Sequence, residues 1–261
     1  MPSINYSDEL KTEYDRLFNT CDIRTEKLQV IEKVIKKIND NKSRYDTVAV
    51  KLNIPWYVIA AIHNMEASLN FNCHLHNGDP LTARTKHVPV GRPVNGEPPF
   101  KWEDSAIDSL SFQRFDKWTD WSLPGILFKL EGYNGWGYRK HHPEVLSPYL
   151  WSGSNHYSQG KYVADGRWSD TAVSNQIGAA VILRRMSEKN LIVFTNDPVI
   201  VDEKPLVYYS NKKIKYGKDL QKFLNGFPGI YLLQDGKPGK KTSDAFKKVT
   251  GNYLNSDPRK L

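Results

Sequence analysis

Cysteine is scarce: Cys21 and Cys73 are the only two in 261 residues. Two cysteines make no disulfide framework, so the fold must rest on a packed core, and two buried thiols are expected rather than one bond. Long apolar runs are missing too. No stretch approaches the roughly 18–20 residues of a membrane-spanning helix, so no membrane partner is expected. The opening residues "MPSINYSDELKTEYD" lack the apolar segment of a secretory signal, so none is read there. Internal repeats and low-complexity tracts are lacking, which argues against solenoids and linker-like chains. Runs of one charge are short, with pairs such as Lys36–Lys37 and Lys240–Lys241, and no nucleic-acid-binding signature occurs.

What is present describes a globular chain. Hydrophobic residues make up 39% and charged residues 25%, enough for one large domain or two ordinary ones. The net charge of +8 suits a polyanionic partner: nucleic acid, an anionic membrane or a carboxylate-bearing cell wall. It equally suits a soluble, lysine-rich surface. The 7 Trp and 14 Tyr include many in polar, Gly-rich surroundings, where rings often stack on sugars or bases.

Helical periodicity dominates. Leu10, Tyr14, Leu17 and Phe18 share one face, as do Leu28, Ile31, Ile35 and Ile38; a shorter helix is expected around Tyr45–Leu52. Pro55 suits the first position of the next helix, Trp56–Leu69. Residues 71–104 turn Gly-, Pro- and Asn-rich and read as a small irregular β-hairpin region. Helices are expected again at Ser105–Phe115, Leu123–Glu131 and Ser169–Met186. The last has Ser169 or Asp170 as cap and a stripe of Ala172, Val173, Ile177, Ala180 and Val181. The long Gly/aromatic/His segment before it reads as a functional loop. Residues 195–216 read as a linker. Residues 217–261 read as a small helical domain, with Leu220, Phe223, Leu224 and Phe227 on one side of its first helix and Thr242 or Ser243 capping its second. The expected architecture is mainly α: a helical domain over 1–194 and a small helical domain at the end.

One residue stands out. The segment Trp56–Leu69 is apolar on every side, as a buried helix is. Glu66 projects from the same face as Ile59 and Ile62. A carboxyl among apolar neighbours resists ionisation and keeps a proton near neutral pH, as a general acid must. Alternatively, Glu66 pairs with an Arg or His, or caps a neighbouring helix.

"AIHNMEASLNF" resembles the catalytic-helix motif of the lysozyme-like superfamily, with goose-type lysozymes and soluble lytic transglycosylases nearest in style. "HNGD" ends in Asp79, thirteen residues after Glu66, and resembles the turn that carries a second carboxylate in goose-type lysozymes. "LEGYNGWGYR" resembles the Tyr-Asn-x-Gly cleft motif of these families. The Gly-Leu-Met-Gln segment usual there is missing, and "TARTKHVPVGRPVNGEPP" is an atypical insertion. Residues 217–254 resemble the small peptidoglycan-binding domain found beside wall hydrolases. The match runs through Leu220, Gln221, Leu224, Asp235, Gly236, Gly239, Thr242, Ala245 and Phe246.

The resemblance implies a lysozyme-like fold with a small β region and cleavage of peptidoglycan glycan strands. Glu66 would be the acid. Asp79 would hold a water on the opposite face, unless it only forms its turn. Tyr133 and Asn134 would orient the N-acetyl sugar. Trp136, Tyr138 and Arg139 are further cleft candidates, and His63 would pack beside the acid or tune it. A transglycosylase needs only the Glu, because the sugar's own 6-hydroxyl attacks; an available Asp79 favours hydrolysis. No cofactor or metal is required, and a monomer is expected. Without a secretory signal, the protein would be made in the cytoplasm and reach the wall by another release route, as phage endolysins do. Three rivals remain. His63 with Glu66, and His74 and His76 with Asp79, could bind zinc in a metal-dependent amidase or peptidase. The chain could be a wall binder without catalysis. Nucleic-acid binding is the third rival.

Overall fold

A computed structural model describes residues 4–164, 166–194 and 207–260. The chain divides into two compact units, Met1–Asp197 and Pro198–Leu261. Of the expected linker, 195–206 lie outside the described residues. Residues 207–216 are bonded into the second unit: the N–H groups of Tyr209, Ser210 and Ile214 donate to the carbonyls of Asn255, Pro238 and Gly236. That segment is part of the unit's structure.

The first unit opens with α1 (Asp8–Asn19), capped by the Ser7 side chain, then α2 (Leu28–Asp40) and α3 (Lys42–Leu52). The faces named from periodicity are the buried ones: Leu10, Tyr14, Leu17 and Phe18 in α1, and Ile31, Ile35 and Ile38 in α2. Helix α4 (Trp56–Ala67) runs through the middle and touches α3, α6 (Leu123–Asn134) and α9 (Ala179–Glu188). Tyr57 to His63 and Met65 are all buried in it. Each fully buried Ile there contributes about 2 kcal/mol. Helix α4 stops because Ser68 and Leu69 take left-handed backbone angles, φ 50° and 59°. Pro55 is its cap residue rather than its first helical one. Helix α5 (Trp102–Phe112) begins earlier than expected.

Two sequence expectations are overturned. Residues 71–104 form no hairpin; among the described residues there, one isolated bridge joins Cys73 and Pro80. The segment is held by side chains such as Asp79 and Arg84, which satisfy loop N–H and carbonyl groups locally. The two-stranded antiparallel sheet lies elsewhere: β1 (Lys161–Ala164) pairs with β2 (Arg167–Ser169), Tyr162 opposite Trp168. The helix expected from Ser169 starts only at Ala179, and Val173 is 51% exposed. Residues 170–178 spend their polar groups on distant partners. The Ala172 carbonyl accepts from Gly160, the Ser174 N–H donates to the Tyr157 hydroxyl, and Gln176 donates to the Met65 carbonyl. At Gly178 a Cβ would stand 2.2 Å from the Leu150 carbonyl oxygen, so this close crossing over α8 (Pro148–Trp151) needs glycine. Neither cysteine is bonded; Cys21 is buried and Cys73 half-buried.

The second unit pairs α10 (Gly217–Leu224) with α11 (Lys240–Thr250) over Leu224, Ile230 and Ala245. Phe223 is 60% exposed, so the buried side of α10 is Leu220, Gln221 and Leu224. Gly239 caps α11, while Thr242 and Ser243 are buried inside its first turn.

Candidate functional site

Glu66 sits in the last turn of α4, half-buried. Its Oε1 accepts one hydrogen bond, 2.9 Å from the hydroxyl of Tyr149 on α8. Burial pushes the carboxyl pKa up to about 7, against the lowering pull of that bond. Tyr149 and Tyr133 are both held far above the ordinary phenol range, first by burial and then by the Glu66 charge. The carboxyl is set beside neutral hydroxyls, and among the described residues no cation pairs with it. The pairing and capping alternatives for Glu66 do not describe its surroundings.

The backbone beneath Glu66 is fixed from two sides. A Cβ on Gly78 (φ +79°) would come within 3.0 Å of the Glu66 carbonyl oxygen, so the "HNGD" turn packs directly on the helix end. From the other side Gln176 donates to the Met65 carbonyl at 2.9 Å.

Beside this end of α4 opens a cleft of about 470 Å³. Tyr149, which bonds Glu66, and Gln176 line its near end, whereas Glu66 itself lies behind Tyr149 and is not part of the lining; Asn134, Gly135, Gly137 and Tyr138 form one wall; Lys161, Tyr162, Ala164 and Gly166 of the β1–β2 hairpin form the other. The hairpin is fixed to α7 (Gly137–His141) by aromatic contacts. Tyr162 and Trp168 meet Tyr138 edge-on at 5.4 and 5.6 Å, and Trp168 stacks on His142 at 3.5 Å.

The "GYNGWGYR" residues separate by helical direction. Asn134 and Tyr138 reach the cleft. Tyr133 lies below it: its hydroxyl donates to the Leu75 carbonyl and takes the Ser109 hydroxyl, both at 2.9 Å, so it supports the site and offers a sugar no free hydroxyl. Trp136 turns away onto Phe128, with ring centroids 4.9 Å apart. Arg139 is not a cleft residue. It pairs with buried Glu131 at 2.9 Å and Glu13 at 3.1 Å and lies over the Tyr14 ring, while the Tyr14 hydroxyl donates to Glu131 at 2.6 Å.

Asp79 is a loop organiser. Its Oδ2 accepts the backbone N–H groups of Lys86 (2.8 Å) and His87 (3.0 Å), and Oδ1 meets the His87 ring at 2.6 Å. Burial alone would raise its pKa, but these bonds outweigh it and bring the carboxyl down to about 2. So weakly basic a carboxylate, with its oxygens engaged, is poorly suited to hold and deprotonate a water.

The histidines are structural as well. His63 is fully buried between Phe71 and Trp102, with Nδ1 3.0 Å from the Tyr45 hydroxyl, and burial drives its pKa down to about 4. It does not reach the cleft. His74, fully buried, bonds Ser105 and the Ala83 carbonyl; His76, also buried, bonds Asp108. Among the described residues no three His, Cys, Asp or Glu side chains converge as metal ligands.

In the second unit Gln221 is a buried hub. Its amide donates to Asp235 (2.8 Å), the Lys237 carbonyl and Thr242, and its oxygen accepts the Gly236 N–H at 2.8 Å. Leu220 and Leu224 are core. The Leu-Gln/Asp-Gly/Thr pattern thus fastens the fold. Gln221, Asp235, Gly239 and Thr242 also border a depression of about 390 Å³, whereas Leu220, Leu224 and Gly236 do not.

Tyr149, Tyr162 and Gln176 were missed from sequence. The one signal for Tyr149 and Tyr162 was the long Gly- and aromatic-rich loop that holds them; Gln176 fell inside the helix expected over Ser169–Met186. The chain matches no family model, no curated protein and no solved structure.

Proposed function

We propose that the protein cleaves the glycan strands of peptidoglycan, with Glu66 as the general acid. The observation that carries this reading is a lone carboxyl with a pKa near 7, held by Tyr149 at the edge of a cleft walled by Tyr138 and Tyr162. Near neutral pH about half of such a carboxyl is protonated, so it can give a proton to the glycosidic oxygen as the anomeric carbon becomes oxocarbenium-like. The apolar helix beneath it and the wall-hydrolase resemblance of both units point to the same substrate.

One observation favours a particular outcome. The oxygens of Asp79 are taken up by Lys86 and His87, leaving Glu66, bonded to the cleft-lining Tyr149, as the candidate carboxyl free for chemistry among the described residues. This supports the transglycosylase form of the reaction. Glu66 protonates the leaving oxygen, then takes the proton of the muramic 6-hydroxyl as that oxygen bonds to C1. The products are an anhydro end and a free 4-hydroxyl, and no water is consumed.

The test is digestion of purified sacculi followed by mass spectrometry of the fragments. Anhydro-muramic ends are expected, absent with Glu66→Gln. Reducing muramic ends would instead assign hydrolysis, and free peptides without glycan breaks would overturn the reading.

A further inference from the structure

The net charge of the chain is not shared between its units. Residues 207–260 carry eleven lysines and Arg259 against Asp219, Asp235, Asp244 and Asp257, a net of +8, so the rest of the sequence sums to zero. Few of these charges are neutralised within the unit. Arg259 takes Asp244 at 2.5 Å and Asp257 at 2.7 Å, while Asp235 accepts from Gln221 and from the Lys237 N–H. Among the described residues no lysine of 207–260 pairs with a carboxylate. A unit of this size holding so many free cations repels itself, and that cost is offset when a polyanion binds.

The kind of cation narrows the partner. Arginine recognises planar carboxylates by a two-pronged fit, and the one arginine here is already committed. Lysines act as point charges and respond to the density of negative charge rather than its shape. Sparse carboxylates along a peptide-bearing glycan are a poor match for eleven of them; a polymer with a charge at every repeat is a good one. Three of the lysines, Lys237, Lys240 and Lys241, gather at the depression already described, beside Leu232 and Leu233. Among the described residues no aromatic ring lines that depression, so they offer no platform on which bases of a single strand would stack.

We propose that the second unit binds a linear polyol-phosphate polymer of the cell wall through Lys237, Lys240 and Lys241. The assignment rests on the wall-directed reading above for its choice of a wall polymer over other phosphodiesters. It makes retention electrostatic, and therefore strongly dependent on salt.

The experiment uses the full chain carrying Glu66→Gln, so that binding is measured without cleavage and a failure of the lytic reading leaves it interpretable. Retention on immobilised poly(glycerol phosphate) is titrated with salt. It is compared with duplex DNA at equal phosphate and with sacculi stripped of phosphate polymers. A triple variant Lys237→Glu, Lys240→Glu, Lys241→Glu is set beside a control, Lys33→Glu, Lys51→Glu, Lys101→Glu, that makes the same charge change on exposed lysines of the first unit. Far-ultraviolet circular dichroism checks that both remain folded. The expected result is a loss of about tenfold at low salt and a salt slope shallower by about 2 in the first variant only. Equal losses in both variants would overturn the proposal. So would DNA binding as tight as that of the wall polymer, or undiminished retention on phosphate-free sacculi.

Discussion

The Tyr149 hydroxyl donates to Glu66 Oε1 at 2.9 Å, joining a short helix near residue 150 to the last turn of a helix more than eighty residues earlier. Burial raises the carboxyl and this bond moderates the rise. Removing the hydroxyl as Tyr149→Phe is therefore expected to raise the Glu66 pKa further. The alkaline limb of the pH–rate profile, which reports the acid, should move to higher pH. An unmoved limb would place the acid elsewhere.

Glu66→Gln should cost 100-fold or more in lysis, at the scale of about 10²–10⁴ for a lost general acid. It should also stabilise the protein under alkaline conditions. A carboxyl with a raised folded pKa binds its proton more tightly in the native state than in the unfolded chain. Its ionisation thus costs stability as pH rises from about 4.5 through about 7. At about 1.36 kcal/mol per unit, the cost above pH 7 is on the order of 3 kcal/mol. Thermal melts at pH 8 should show a higher Tm for the variant, and melts at pH 4 little difference.

Asp79 has the opposite sign. Its folded pKa of about 2 lies below the ordinary 3.8, so the stability it supplies is complete above pH 3.8 and fades as pH falls toward 2. Asp79→Ala should destabilise by about 1–3 kcal/mol through the orphaned N–H groups of Lys86 and His87. Activity per folded molecule should stay within a few-fold. Urea melts alongside lysis rates at a permissive temperature separate the two effects; a hundredfold loss in a stable variant would restore Asp79 to the chemistry.

Arg139→Met removes the cation beside buried Glu131. Breaking a buried pair from one side costs about 3–5 kcal/mol. A matching double variant, Arg139→Met with Glu131→Gln, should recover part of it, as measured by a double-mutant cycle. Lysis by whatever remains folded should be near normal, because neither residue lines the cleft and their partners Glu13 and Tyr14 do not line it either.

Much of this was legible in sequence. The buried faces of α1 and α2, the all-apolar α4 and its one carboxylate follow from spacing alone. The hairpin was placed in the wrong segment because "LTARTKHVPV" alternates like a strand, while Asp79 and Arg84 close its backbone locally. The stripe from Ala172 to Val181 reads as a helix, yet Gln176 and Ser174 are drawn to partners far along the chain and Gly178 must slip past Leu150. Arg139 and His63 have cleft-like neighbours in sequence, but each points to the interior side of its helix. Tyr149 carries no local pattern; its role depends on a contact across 83 positions.

The two clamps on the end of α4 have a temporal meaning. The Glu66 carbonyl is covered by Gly78, and the Met65 carbonyl is held by Gln176, a residue reached only after the hairpin has been made. Glu66 owes its raised pKa to burial, and the bonds that hold it and the backbone beneath it come from residues synthesised 83 and 111 positions later. A growing or clipped chain that ends before Tyr149 would lack the hydroxyl that holds the Glu66 carboxyl, and one that ends before Gln176 would lack the clamp on the Met65 carbonyl. The acid is thus an emergent property of the completed unit, and its titration can serve as a reporter of correct folding.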